Sequence, residues 1–197
     1  MEDGNVTIRN WTGMFLALAL ALVWTAGSAS TSAAQGSEGK SEWDFYKSAE
    51  GRFSMRVPME PVVTTSQKDS FIGTITNHIF TVLREENYEK FTVDYSEIPS
   101  FAVEFTGEDT IIDHAKGALL SQTMSKPISY TDFMIDGVKG KRLVYDTPPR
   151  KGHPELRGQA VFLMVGDRLY VIDAQLPLED HEAKAKRFLD SISVDKK

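Results

Sequence analysis

QAVFLMVGDRLYVIDAQ, residues 159–175, is two apolar runs rich in β-branched and aromatic side chains, divided by Gly166-Asp167. Runs of that length and composition on either side of a two-residue turn read as an antiparallel hairpin. The same grammar extends outward. Residues 130–135 and 138–146 flank Asp136-Gly137, the strongest local hairpin signal in the chain, because Asp-Gly supplies the positive φ angles of a type I′ turn. Residues 74–84 and 90–98 flank a polar turn at 85–89. Adjacent antiparallel strands arranged as a meander are the expectation.

Two segments change period. Residues 108–124 carry Ile111, Ile112, Ala115, Ala118, Leu119 and Gln122 at helical spacing, with Glu108 and Asp109 in the first turn, where the helix dipole favours acids. A second helix is expected after Pro177, with Leu178, Ala185, Phe188, Leu189 and Ile192 as its apolar stripe and Lys184, Lys186 and Arg187 following Glu179, Asp180 and Glu182. Many strands with two substantial helices define an α+β class with a mostly antiparallel sheet.

At the other end, GRFSMRVPMEP (51–61) alternates so that Phe53, Met55 and Val57 share one face of a half-buried strand. Pro58 removes a ladder donor, so this strand ends there or follows an edge. Trp43, Phe45 and Tyr46 form an aromatic lead-in. Before them, QGSEGKS (35–41) is small and polar, and 35–42 is expected to be a flexible tether.

The apolar run 14–24, MFLALALALVW, has the length of a signal-peptide core and falls short of the roughly 20 residues of a membrane-spanning helix. Small residues follow, and a signal peptide over 1–34 with cleavage between Ala34 and Gln35 is expected. An uncleaved membrane anchor is the competing reading, since Arg9 is the only basic residue before the run, opposed by Glu2 and Asp3. Localisation is expected to be extracytoplasmic, periplasmic or secreted, with membrane association only if the leader is retained. The chain of 197 residues has no cysteine, which excludes disulfides and thiolate metal sites. Without the leader, 21 basic and 26 acidic side chains remain, net charge −5, and no basic stripe suits nucleic acid.

Catalytic signatures are absent from the sequence: there is no GxSxG elbow, SxxK pair, HExxH or phosphate-binding glycine loop. His78 reads as a core-edge or hydrogen-bonded strand residue, and His114 has no second histidine one turn away. Glu179-Asp180-His181-Glu182 reads as a solvated acidic helix start rather than a metal cluster, because consecutive helical side chains diverge. Asp94 with Glu97, or Asp132 with Asp136, are candidate acid–base pairs without further support, and Asp132, Asp136, Asp146 and Asp173 lack calcium-loop spacing. PPRKGHPE (148–155) is the best candidate for an exposed recognition loop, with Arg150, Lys151 and His153 as its contact residues. No cofactor or metal is called for.

Trp43, Tyr46, Glu50, Gly51, Arg52, Phe53 and Pro58 resemble the opening of exported PsbP-like domains. RLYVI (168–172) and the helix ending RFLDSI (187–192) resemble that family's closing strand and helix. The resemblance covers about 43–194 and implies one PsbP-like domain over 43–197, an α/β/α sandwich whose central, mostly antiparallel sheet is flanked by helices. DcrB-type envelope proteins and a nuclear Ran-binding factor share that fold. It implies a non-catalytic binding or accessory module associating with an envelope protein or assembly. A carrier of an apolar small ligand and an unrecognised extracytoplasmic hydrolase are the alternatives.

Overall fold

The computed structural model describes residues 43–70, 73–150 and 152–196; the expected leader and tether, and Lys151, lie outside them. The large sheet contains β3 (Val62–Ser70), β4 (Gly73–Arg84), β5 (Glu89–Glu97), β6 (Lys126–Ile135), β7 (Val138–Thr147), β8 (Leu156–Val165) and β9 (Arg168–Pro177). Its order is β3-β4-β5-β9-β8-β7-β6, and every neighbouring pair is antiparallel. β1 (Asp44–Ser48), β2 (Phe53–Val57) and β10 (Ser193–Val194) form a separate small sheet with β2 in the middle. The helices are α1 (Ser100–Thr106), α2 (Glu108–Thr123) and α3 (His181–Asp190).

The turns follow their chemistry. Asp136 and Gly137 have φ of 50° and 72°, the two positive values that a type I′ turn between β6 and β7 requires. Between β8 and β9 only Gly166 is positive, at 59°, as at the first position of a type II′ turn. The connection differs from a simple meander at one place. β9 pairs with β5, from Lys90–Gln175 to Glu97–Arg168, so two runs of hairpins meet at a seam between strands far apart in the chain.

Alternation along the central strands gives the sheet two apolar faces. Phe91, Val93, Tyr95, Tyr170, Ile172, Ala174 and Leu176 turn toward α3 and the small sheet, where Ala185, Phe188, Leu189, Phe53, Met55 and Val57 meet them. Burying each large side chain there contributes roughly 1.5–3 kcal/mol before entropy. Ala160, Phe162, Met164, Leu143 and Tyr145 turn the other way, toward Ala102 of α1 and Ile112 of α2. Helices thus flank both faces of an antiparallel sheet, and the small sheet adds a second element beside α3.

Phe53, Met55 and Val57 are buried as the alternation requires, and their strand ends at Val57, before Pro58, as the middle strand of the small sheet. Two expectations change. Leu178 is 45% exposed and precedes α3, because Pro177 still belongs to β9 and the helix begins only at His181. His181 is buried at 7% exposure rather than solvated with its acidic neighbours, because the first turn of α3 lies against β8, where Gln159 meets the imidazole. β3, α1 and the pairing of the aromatic lead-in as β1 carry weaker periodic signals and emerge only in the structure.

Candidate functional site

On the α2 face, the β5–β9 seam presents polar side chains in the middle of the sheet. The register sets Thr92 opposite Asp173 and Asp94 opposite Val171, so Asp94 and Asp173 are diagonal neighbours across the seam, positions whose backbones lie roughly 7–8 Å apart. Asp173 is 3% exposed. Its Oδ2 accepts hydrogen bonds from the Tyr145 hydroxyl (2.7 Å) and the Gln175 amide (3.1 Å), and that amide also donates to the Tyr145 oxygen (2.8 Å). Oδ1 of Asp173 and Oδ1 of Asp94 are buried and have no hydrogen-bond partner. Burial pushes the Asp94 carboxyl up to about 6. It also pushes Asp173 up to about 6, against the opposing help of the Tyr145 hydroxyl, Lys90 and the Gln175 amide. Burial, with the charge of Asp173 next, raises the Tyr145 hydroxyl well above its ordinary range, so it stays a donor.

Gly158 makes this triangle possible. A Cβ there would stand 2.0 Å from Cζ of Tyr145, so only glycine on β8 lets the ring lie flat across the strand and bring its hydroxyl to Asp173.

The carboxylates floor a cavity of about 470 Å³. Ile79, Leu119, Leu156 and Val171 supply apolar wall; Lys90, Thr92, Gln122 and Gln175 supply polar wall, and Arg150 and His153 stand at it from the loop. Two local structures hold the loop there. Arg150 and His153 exchange backbone hydrogen bonds (3.2 and 2.8 Å) around Gly152, whose φ of 81° favours glycine. The Arg150 guanidinium then donates to the Thr123 carbonyl (2.9 Å), one of the carbonyls left open at the end of α2, where the dipole favours a cation. Met124 closes that end in the left-handed conformation, its N–H reaching Leu120 and Ser121. The His153 ring stands edge-on to Tyr88, with centroids 5.5 Å apart.

The structure therefore brings Arg150 and His153 of the recognition loop to one cavity; Lys151 lies outside the described residues. It separates the carboxylate pairs considered from sequence. Asp94 faces the cavity, whereas Glu97 is exposed and paired with Arg168. Asp132 pairs with Lys141, Asp136 accepts the Val194 N–H, and Asp146 pairs with Arg157. The partner of Asp94 in the cavity is Asp173, which sequence reasoning noted only in a calcium tetrad. Its signal is an acid inside RLYVIDAQ, an otherwise almost continuous buried strand.

The histidines divide among different surroundings. His114 is exposed on α2. His78 stacks on Tyr95 at 4.6 Å and directs Nδ1 toward both Thr65 Oγ1 (3.4 Å) and Glu50 (3.9 Å). A hydrolytic triad sets its hydroxyl and its acid on opposite ring nitrogens, whereas here both face Nδ1. At His181, Arg142 donates to the Gln159 oxygen, which leaves the Gln159 amide to donate to Nε2 of the imidazole (2.9 Å). Burial first, and Arg157 next, depress the His181 pKa, in agreement with a neutral accepting ring. Among the described residues, no group of three histidine or acidic side chains is arranged to hold a metal ion.

The architecture is that of an α+β domain of PsbP-like fold. Cyanobacterial PsbP (CyanoP) from Synechocystis sp. PCC 6803 superposes with a TM-score of 0.52 at 14% identity, over 83% of this chain and 98% of that one. A protein of unknown function from Pseudomonas aeruginosa is a looser likeness, with a TM-score of 0.38 at 13% identity over 78% of this chain and 98% of that one. Neither a scan against protein-family models nor a search of curated proteins gives a match.

Proposed function

We propose that the protein is an exported, non-catalytic accessory module that binds an envelope partner through the loop carrying Arg150, Lys151 and His153 and the cavity that this loop borders. The observation carrying this reading is the anchoring of an exposed loop onto α2 by Arg150, above buried carboxylates with unpartnered oxygens. A pinned loop presents its side chains with little ordering cost on binding. The apolar segment before the tether supports export, and among the described residues no helix is long and apolar enough to cross a membrane.

The other readings have less support. An apolar carrier asks for one pocket beneath Ile112 and Leu119, but these residues line two separate hollows, and the one at Leu119 has carboxylates in its floor. A hydrolase of the triad type asks for a hydroxyl and an orienting acid on opposite nitrogens of its histidine, and at His78 both Thr65 and Glu50 face Nδ1.

Crosslinking in intact cells followed by affinity capture of the tagged chain tests the proposal. A reproducible envelope partner, lost with the double substitution Arg150→Ala and His153→Ala in a chain of unchanged melting temperature, is the expected result. Capture unaffected by the substitution rejects the loop as the contact. N-terminal sequencing of the exported chain is expected to begin at Gln35, and an intact leader converts the reading to a membrane-anchored module.

A further inference from the structure

The cavity is lined by groups of both charges, which partner binding does not require. Asp94 and Asp173 form its acidic floor, and neither is in an ion pair among the described residues. Asp173 is 97% buried by its 3% exposure, and its Oδ1 remains without a partner although Tyr145 and Gln175 satisfy Oδ2. Leaving carboxylate oxygens buried and unpaired is costly, and a fold that only needed a packed sheet would place apolar side chains at both positions. Arg150 lines the same cavity from the loop. Among the described residues its guanidinium makes one hydrogen bond, to the Thr123 carbonyl, so donors remain for an anion.

We propose that the cavity binds a small organic zwitterion, its ammonium group on Asp94 beside the buried charge of Asp173, its aliphatic body against Leu119, Leu156 and Val171, and its carboxylate on Arg150. A cavity of about 470 Å³ is far larger than the roughly 30 Å³ share of a water molecule and falls in the range of small-ligand sites. The mixed wall fits a ligand with an apolar middle and charged ends. Lys90 weakens but does not abolish the acidic character of the floor: it acts on Asp173 at a distance without pairing with it. This inference rests on the preceding reading only in using the same cavity; the ligand occupies the floor whether or not a protein engages the loop.

The groups facing the floor are Lys90 from β5, Tyr145 from β7, Arg150 and His153 from the loop, and Gln122 from α2. Above pH about 6 both carboxylates are ionised and attract the ammonium; as pH falls below that value they take up protons and affinity drops.

Calorimetric titration of the full chain with 6-aminohexanoate, n-hexylamine and hexanoate tests the proposal. The expected order is 6-aminohexanoate tightest, n-hexylamine weaker and hexanoate without binding. Asp94→Asn and Asp173→Asn should each weaken 6-aminohexanoate by about tenfold or more, and retained cooperative melting shows that these variants are folded. Arg150→Ala should erase the advantage of 6-aminohexanoate over n-hexylamine. Binding of hexanoate as tight as that of n-hexylamine, no heat from either amine at about 20 mM, or Asn variants with unchanged affinity overturns the proposal. Protein capture that succeeds while these titrations fail removes the zwitterion site and leaves the accessory reading standing; the reverse result does the opposite.

Discussion

Asp173 shows at the scale of one residue how a central strand tolerates a charge. Its neighbours along β9 are buried, and the Tyr145 hydroxyl and the Gln175 amide donate to its carboxylate, with the charge of Lys90 and the Ala174 backbone helping. A carboxyl whose pKa rises from 3.8 to about 6 on folding takes up protons more readily in the folded chain. Stability therefore falls as pH rises through the window from about 4 to about 6, and the loss is complete above it, of the order of 3 kcal/mol at neutral pH. Asp173→Asn keeps an acceptor for Tyr145 and removes the charge. It should raise the melting temperature at about pH 8 by an amount equivalent to about 1–3 kcal/mol, with little difference near pH 4. Thermal denaturation across that range checks both the size and the sign. Gly158→Ala should act in the other direction: the added methyl group displaces the Tyr145 ring and costs about 1–3 kcal/mol or more, and urea denaturation reads the loss.

At the scale of elements, α3 is held by packing and by one buried acid. Glu89, at the start of β5, is 1% exposed and accepts from Arg84 of β4 (3.2 Å) and Lys184 of α3 (2.5 Å). Lys184 also reaches Asp180, one turn earlier, at 2.6 Å. This ties the sheet to the helix that covers it, beside the contact of the Phe188 and Phe91 rings at 5.1 Å. Glu89→Ala leaves two cations without their common acceptor and should cost about 2–3 kcal/mol. Hydrogen exchange should show the loss concentrated in the amides of α3. Protection changing equally in α2 would contradict the local role of Glu89.

For the whole molecule, the two apolar faces belong to the same strands: β8 gives Val161 and Leu163 to one cluster and Ala160 and Phe162 to the other. Loss of either covering layer exposes strands on which the opposite layer also depends, so unfolding should be one cooperative transition. Phe188→Ala, a fully buried truncation on the α3 face, should cost about 3–5 kcal/mol. It should lower the urea midpoint of far-ultraviolet and aromatic circular dichroism together. Separate midpoints would show that the faces unfold independently.

The sequence by itself determined the features governed by short-range chemistry. Period-two runs placed the main strands, Asp136-Gly137 set its hairpin, and helical spacing placed α2, because each signal is contained within a few neighbouring residues. It also singled out the loop of Arg150 and His153 through its proline-rich composition. Tertiary structure decided the partners: β9 pairs with β5, α3 buries His181 against Gln159, and β2 pairs with β1 and β10 in a small separate sheet. Asp94 and Asp173 were visible as letters but not as neighbours. They meet only because the β5–β9 register brings together strands separated by α1, α2 and three other strands, and long-range register is set by the packing of whole faces rather than by residues adjacent in the chain.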